Sequence, residues 1–211
     1  MANYTPLHEK ANVITHAAGF LFGLAALPIL LSAVSKSPDT SSFDVVGSVA
    51  YSIGFLMVFG FSSLYHYAAD ERRKGAFKVW DHISIYYLIA GTYTPVIIAF
   101  ALPEVQKWML ITIWGLALAG TIFKLFFTGK FRVVSTAIYL AMGWMVLAAP
   151  SSFQEAVPYD QVFWIATGGV FYTLGVIFYL VKAIPYHHAI WHVFVLGGAI
   201  SHYTCIWKIF T

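Results

Sequence analysis

Ionisable side chains at the ends of apolar stretches are the residues of this sequence that could do chemistry. His188 and His192 are spaced i, i+4, which places both imidazoles on one face of a helix, about one turn apart. That spacing lets two side chains reach one metal ion, and His66, at the end of an earlier apolar stretch, could supply a third nitrogen. Three histidines with a fourth position open to water form the arrangement of catalytic zinc, so the sequence predicts a zinc site at these residues.

Two further residues could complete such a site. Asp81 opens another apolar stretch and could orient the water or act as general base, because no glutamate lies between His188 and His192 to do so. Ser62 precedes His66 by one helical turn and could donate a hydrogen bond to a substrate or an oxyanion. The alternative is that the histidines are interfacial polar groups or interhelical hydrogen-bond partners, which are common near the ends of membrane helices.

Other polar residues are weaker candidates. His202 lies ten residues beyond His192, roughly 15 Å along a helix, which is too far to share one metal and is more typical of a packing contact. Glu9 and Asn12 precede the first apolar stretch, and we expect them to cap its helix or to close the mouth of the bundle. The remaining candidates are His16, His82 and His187.

The amino-acid composition indicates what kind of secondary structure carries these residues. Of the 211 residues, 60% are hydrophobic and 10% charged, with a mean hydropathy of +0.75, so a water-soluble globular domain is excluded. The net charge of +3 is too small a surplus to indicate nucleic-acid binding. The apolar runs are continuous and helix-length, which favours helices over barrel strands.

The sequence therefore predicts an all-α membrane protein, a single seven-helix transmembrane bundle over residues 1–211, without room for a separate soluble domain. Polar and turn-forming residues separate the predicted spans. The spans are 14–34, 44–66, 82–101, 108–127, 132–149, 162–182 and 188–208.

The distribution of lysine and arginine predicts the orientation. With seven spans, nine of the twelve basic residues fall on the side of the N-terminus, which places the N-terminus in the cytoplasm and the C-terminus outside. The nine are Lys10, Arg72, Arg73, Lys74, Lys78, Lys124, Lys130, Arg132 and Lys182. In this topology His66, Asp81, His188 and His192 all lie at the cytoplasmic end, so we expect them to converge.

At these residues the sequence resembles the bacterial hemolysin III family, a branch of the progestin and adipoQ receptor group that is related to the alkaline ceramidases. The resemblance covers nearly the whole chain. It is carried by Glu9–His16 (EKANVITH), Ser62–His66 (SSLYH), Trp80–Pro95 (WDHISIYYLIAGTYTP), Tyr139–Trp144 (YLAMGW) and Ile184–His192 (IPYHHAIWH).

The resemblance implies a seven-span bundle with zinc held by His66, His188 and His192, with Asp81 linked to the metal through water and Ser62 as the motif serine. It also implies an intramembrane zinc-dependent hydrolase of a lipid amide or ester, in the bacterial inner membrane, with a membrane lipid as substrate or ligand. One alternative is a receptor-like or membrane-homeostasis protein with a structural zinc. Another is a membrane-lytic protein, although we find no secretion signal or detachable amphipathic segment to support a toxin.

Overall fold

A computed structural model describes residues 5–211, and this part of the chain is helical, with no strand. The prediction of an all-α membrane protein is confirmed. Six of the helices in residues 5–211, namely α1 to α4, α7 and α8, are long and apolar enough to cross a membrane. In chain order the helices are α1 (Pro6–Lys36), α2 (Ser42–Tyr67), α3 (Glu71–Phe100), α4 (Pro103–Phe127), α5 (Arg132–Gly143), α6 (Ser151–Ala156), α7 (Tyr159–Leu180) and α8 (His187–Trp207).

Side-chain caps fix where the first three helices begin. The Thr5 hydroxyl accepts from the His8 amide at the start of α1, and Ser41 and Asp44 form a reciprocal capping box at the start of α2. Asp70 caps α3 by accepting from the Arg73 amide at 2.9 Å. The charged residues that follow Asp70 lie between the predicted spans 44–66 and 82–101, and in the structure they form the first turn of α3.

The prediction of one continuous span over 132–149 is wrong, because α5 ends at Gly143 and a 3₁₀ turn follows at Met145–Ala148. The Tyr93 hydroxyl of α3 donates to the Gly143 carbonyl at 2.8 Å and accepts from the Val146 amide at 3.0 Å. These two backbone groups are thereby satisfied outside the helical hydrogen-bonding pattern. The 12 residues of α5 are about 18 Å long, less than the bilayer core.

The helices form a ring around a cavity. Helix α1 packs against α2 and α8, α2 against α3, α3 against α5, α5 against α7, and α7 against α8. Helix α4 packs on α3 and contributes none of the residues that line the cavity. Each helix of the ring contributes cavity-lining residues, so side chains from six distant segments face one space.

Glycines bring α2 and α3 into backbone contact. A Cβ added to Gly54 of α2 would lie 2.6 Å from the Tyr87 carbonyl oxygen, and one added to Gly91 of α3 would lie 2.9 Å from the Ala50 carbonyl oxygen. Neither neighbour can yield easily because both are backbone atoms. This close pairing holds the end of α2, which carries His66, beside the start of α3, which carries Asp81.

Candidate metal centre

Three histidines from two distant segments of the chain converge at one end of the ring, which we call the histidine end. His66 comes from the last turn of α2, and His188 and His192 come from the first turns of α8. One ring nitrogen from each lies within 4.8 Å of those from the other two, and the ring centroids are 4.5 to 5.2 Å apart. The expected convergence of these three residues is therefore present in the structure.

The Nδ1 atom of His66 is held by a residue of α1. It lies 2.6 Å from a carboxylate oxygen of Glu9, to which it donates, and 3.3 Å from the side-chain amide nitrogen, Nδ2, of Asn12. The other carboxylate oxygen of Glu9 accepts from Lys74 Nζ at 2.7 Å. An imidazole that donates one N–H to a carboxylate keeps the other nitrogen available as a ligand, and the carboxylate raises the basicity of that nitrogen.

His192 is held in the same way by α1, but by uncharged groups. Its Nδ1 lies 3.2 Å from the main-chain carbonyl oxygen of Asn12 and 3.1 Å from the Thr15 hydroxyl. Because a carbonyl oxygen can only accept, this Nδ1 carries the proton, and the Nε2 of the neutral ring carries the lone pair. The α1 helix therefore orients two of the three imidazoles.

The roles of Glu9, Asn12 and Thr15 were missed in the sequence. The capping role expected of Glu9 and Asn12 is wrong, because Thr5 is the N-cap of α1. A usable signal was present, since polar residues recur at a spacing of three along the first turns of an otherwise apolar helix. That pattern indicates one polar helix face turned toward a partner, which here is the histidine cluster.

The other predicted site residues face the same cavity. Ser62 and Asp81 line the cavity together with His188 and His192. Ser62 is almost fully buried, whereas the Asp81 side chain is 18% exposed. Asp81 also lies 3.6 Å from Nδ1 of its neighbour His82.

His16, a weaker candidate from the sequence, is closer to the centre than we expected. Its ring stacks on that of His192 with centroids 3.6 Å apart, and it lines the cavity. Both of its ring nitrogens are buried, and neither has a hydrogen-bond partner within residues 5–211. His16 therefore presents uncommitted polar atoms beside the three-histidine group.

The cavity itself is mostly apolar and has a volume of about 130 Å³. Aliphatic and aromatic side chains such as Leu88, Leu140 and Val195 line its middle, and Tyr172 and His202 line it further from the histidine end. An apolar cavity that reaches a cluster of polar groups is suited to a hydrocarbon chain with a reactive polar function.

Comparison with known proteins identifies the family of this chain. Residues 4–203 match the protein family described as haemolysin-III related. This chain belongs to the haemolysin-III-related family. It is 36% identical over 203 residues to the hemolysin-3 homolog of Bacillus subtilis, covering 96% of this chain and 94% of that protein. It is 37% identical over 198 residues to hemolysin-3 of Bacillus cereus, covering 94% and 90%.

The chain is also similar to proteins from animals. The chain is 31% identical over 210 residues to the human monocyte to macrophage differentiation factor, covering 97% of this chain and 85% of that protein. The family match includes every residue of the histidine cluster and of the α1 face that holds it. Together with the apolar helices, it identifies a multi-pass protein of the bacterial cell membrane.

Proposed function

We propose that this protein is an intramembrane zinc-dependent hydrolase that cleaves an amide or ester bond of a membrane lipid. The observation that carries the proposal is the convergence of three imidazoles, two buried and that of His188 partly buried, at one end of an apolar cavity that is also lined by a carboxylate and a hydroxyl. The names of the family and of its members describe no reaction, so the proposal rests on this geometry and on the resemblance to the hemolysin III family.

His66, His188 and His192 would hold the zinc ion. The donor set fits, because imidazole is a preferred zinc ligand and two of the rings donate from Nδ1 to an acceptor, which leaves Nε2 of the neutral ring to bind the metal. When bound, zinc supplies a Lewis acid that polarises a carbonyl and lowers the pKa of a coordinated water toward about 7.

The surrounding side chains would handle protons and position the lipid. Asp81 would accept a proton from the attacking water and return it to the leaving amine or alcohol, so that hydrolysis yields a carboxylic acid and an amine or alcohol. Ser62 would donate a hydrogen bond to the oxygen of the scissile carbonyl. His16, with its uncommitted nitrogens, would provide a further hydrogen-bonding group on the α1 side of the cavity.

A structural zinc in a receptor-like protein is the competing function. A metal that only stabilises the bundle needs four protein ligands and no adjoining space. The histidine group has three members within the described chain, and two of them line the cavity. These observations favour catalysis.

We also propose seven crossings with a cytoplasmic N-terminus. Support for a crossing by the α5 to α6 segment comes from the contacts at its two ends. Arg132, at the start of α5, lies over the ring of Tyr179 with 4.1 Å to its centroid, near the histidine end. Asp160, at the start of α7, pairs with Lys208 at 2.7 Å beyond the far end of α8. The excess of basic residues on the histidine side supports the orientation.

The decisive experiment measures zinc and hydrolysis on the same purified protein. We expect one zinc per chain, release of fatty acid from a panel of lipid amides and esters, and loss of both in His192→Ala. The control is His187→Ala, because the adjacent His187 donates to the Phe178 carbonyl at 2.9 Å and is not in the cluster. Full zinc content in His192→Ala would remove the site, and a zinc-loaded protein that cleaves none of the lipids would favour the structural alternative.

A further inference from the structure

The cavity does not end at the histidine cluster. It continues toward the opposite end of α8, where Tyr172 and His202 line it. Tyr172 packs over Gly198, which is six residues beyond His192, and His202 is ten residues beyond it. These positions lie roughly 9 and 15 Å from His192 along the helix axis. The two polar side chains are therefore well separated from the proposed reaction centre.

Tyr172 brings an uncommitted hydroxyl into this region. The hydroxyl oxygen is buried and has no hydrogen-bond partner within the described part of the chain. A buried hydroxyl without a partner costs free energy that a phenylalanine at the same place would not. The arrangement is explained if a ligand in the cavity supplies the partner.

His202 adds an acceptor beside it. Its Nε2 lies 3.2 Å from the main-chain carbonyl oxygen of Ile165 and must donate to it, so Nδ1 of the neutral ring is left as an acceptor. The rings of His202 and Tyr172 are 5.5 Å apart. Together they offer a hydroxyl that can donate or accept and a nitrogen that accepts.

Glycines on the facing helices shape the space that these two rings occupy. A Cβ added to Gly168 would lie 2.3 Å from the His202 ring, and one added to Gly198 would lie 2.8 Å from the Tyr172 ring. Each ring therefore packs directly against a glycine, at a position where a larger residue would clash with the ring. This packing fixes both side chains, as expected of a binding site rather than of two loosely placed polar residues.

The residues that line the cavity between the histidine cluster and Tyr172 indicate the class of ligand. Aliphatic side chains, including Leu88, Val176 and Val195, line the cavity between the histidine cluster and Tyr172. Among the described residues that line the cavity, Asp81 is the one acidic or basic residue other than histidine. A hydrocarbon chain fits the middle. An uncharged polar group fits the far end of the cavity, because none of the lining residues there that belong to residues 5–211 is charged and could pair with an ion.

We propose that Tyr172 and His202 form a subsite for a hydroxyl group carried on the hydrocarbon chain of the lipid. This inference rests on the proposed function, which places the scissile carbonyl at the histidine cluster. The preferred substrates would then be amides or esters of hydroxylated acyl chains.

The test compares the binding of matched fatty acids to the purified full-length protein. The probes are saturated fatty acids of eight to sixteen carbons, each with and without a terminal hydroxyl, competed against a fluorescent fatty acid. At the chain length that best reaches the subsite, we expect the hydroxylated fatty acid to bind roughly three- to tenfold more tightly than the unsubstituted one. This gain in affinity corresponds to one hydrogen bond. In Tyr172→Phe this preference should disappear, while the unsubstituted chain binds at least as well as before.

Tyr86→Phe is the matched control. The Tyr86 side chain is also buried, but Tyr86 is not among the residues that line the cavity. Its replacement should leave the hydroxyl preference intact. Equal binding of both chains at every length, or a preference that survives in Tyr172→Phe, would overturn the subsite. Absence of zinc or of hydrolysis would overturn the proposed function instead and would leave a measured hydroxyl preference standing.

Discussion

A carboxylate oxygen of Glu9 lies 2.6 Å from Nδ1 of His66, although 57 residues separate them in the chain. The contact joins the first turns of α1 to the last turn of α2, and Lys74 at the start of α3 pairs with the same carboxylate. Three helix ends are therefore tied together around one imidazole. The consequences of this arrangement can be measured.

If His66 binds zinc, Glu9→Gln should weaken zinc binding by about 10- to 100-fold, because glutamine keeps the size of the side chain but removes the negative charge that would make His66 a better ligand. Zinc affinity would be measured by competition with a chelator. The matched control is Glu71→Gln, an exposed acidic residue in the first turn of α3. Equal affinities for the two variants would show that Glu9 does not act through His66.

Thr15→Val should have a smaller effect on the same zinc titration. The hydroxyl lies 3.1 Å from Nδ1 of His192, but the Asn12 carbonyl holds that nitrogen as well. We expect an affinity loss of roughly two- to tenfold, the worth of one shared hydrogen bond. A loss larger than that of Glu9→Gln would mean that Thr15, rather than the Asn12 carbonyl, is the main support of His192.

Asp81→Asn should separate catalysis from metal binding. If Asp81 moves protons, the rate of lipid hydrolysis should fall by about 10²- to 10⁴-fold while the zinc content stays at one per chain. The control is Asp39→Asn, an exposed residue in the turn between α1 and α2. Loss of zinc from Asp81→Asn would instead make Asp81 a metal ligand.

Gly54→Ala should destabilise the protein by about 1–3 kcal/mol, because the added methyl group would meet the backbone of α3 at 2.6 Å. Thermal unfolding in detergent would report the change. Gly115→Ala is the matched control, since a Cβ at Gly115 of α4 meets no atom within 4 Å. There the better helix propensity of alanine should leave stability unchanged or raise it by up to about 1 kcal/mol. Equal effects at the two sites would argue against the close α2–α3 packing.

Single cysteines should report the proposed topology. In a Cys205→Ser background, Asp39→Cys should react with a membrane-impermeant maleimide on intact cells, and Lys130→Cys should react only after permeabilisation. Both positions are exposed; Asp39 follows the end of α1, and Lys130 follows the end of α4. The reverse labelling pattern would invert the orientation, and external labelling of both would contradict the predicted number of crossings.

Much of the fold was predictable because membrane insertion is governed by local composition. Long apolar stretches with few charges predict helices that can cross a bilayer, and the six long helices of residues 5–211 agree with this. The fifth span was predicted at the wrong length because the hydroxyl of Tyr93, from a different helix, takes the backbone groups of Gly143 and Val146. Hydropathy does not detect a hydrogen bond between segments that are 50 residues apart.

The candidate site, like the fold, was predictable from the sequence only in part. The sequence by itself determined that His188 and His192 share a helix face, because i, i+4 spacing is a property of one helix. It also marked His66, Ser62 and Asp81 as polar residues at the ends of apolar stretches. Only the tertiary structure decided that Glu9 and Asn12 hold these histidines, that His16 stacks on His192, and that one cavity connects the cluster to Tyr172. These relationships depend on how separate helices pack against each other, and the residues involved are too far apart in the chain for any local pattern to record the contact.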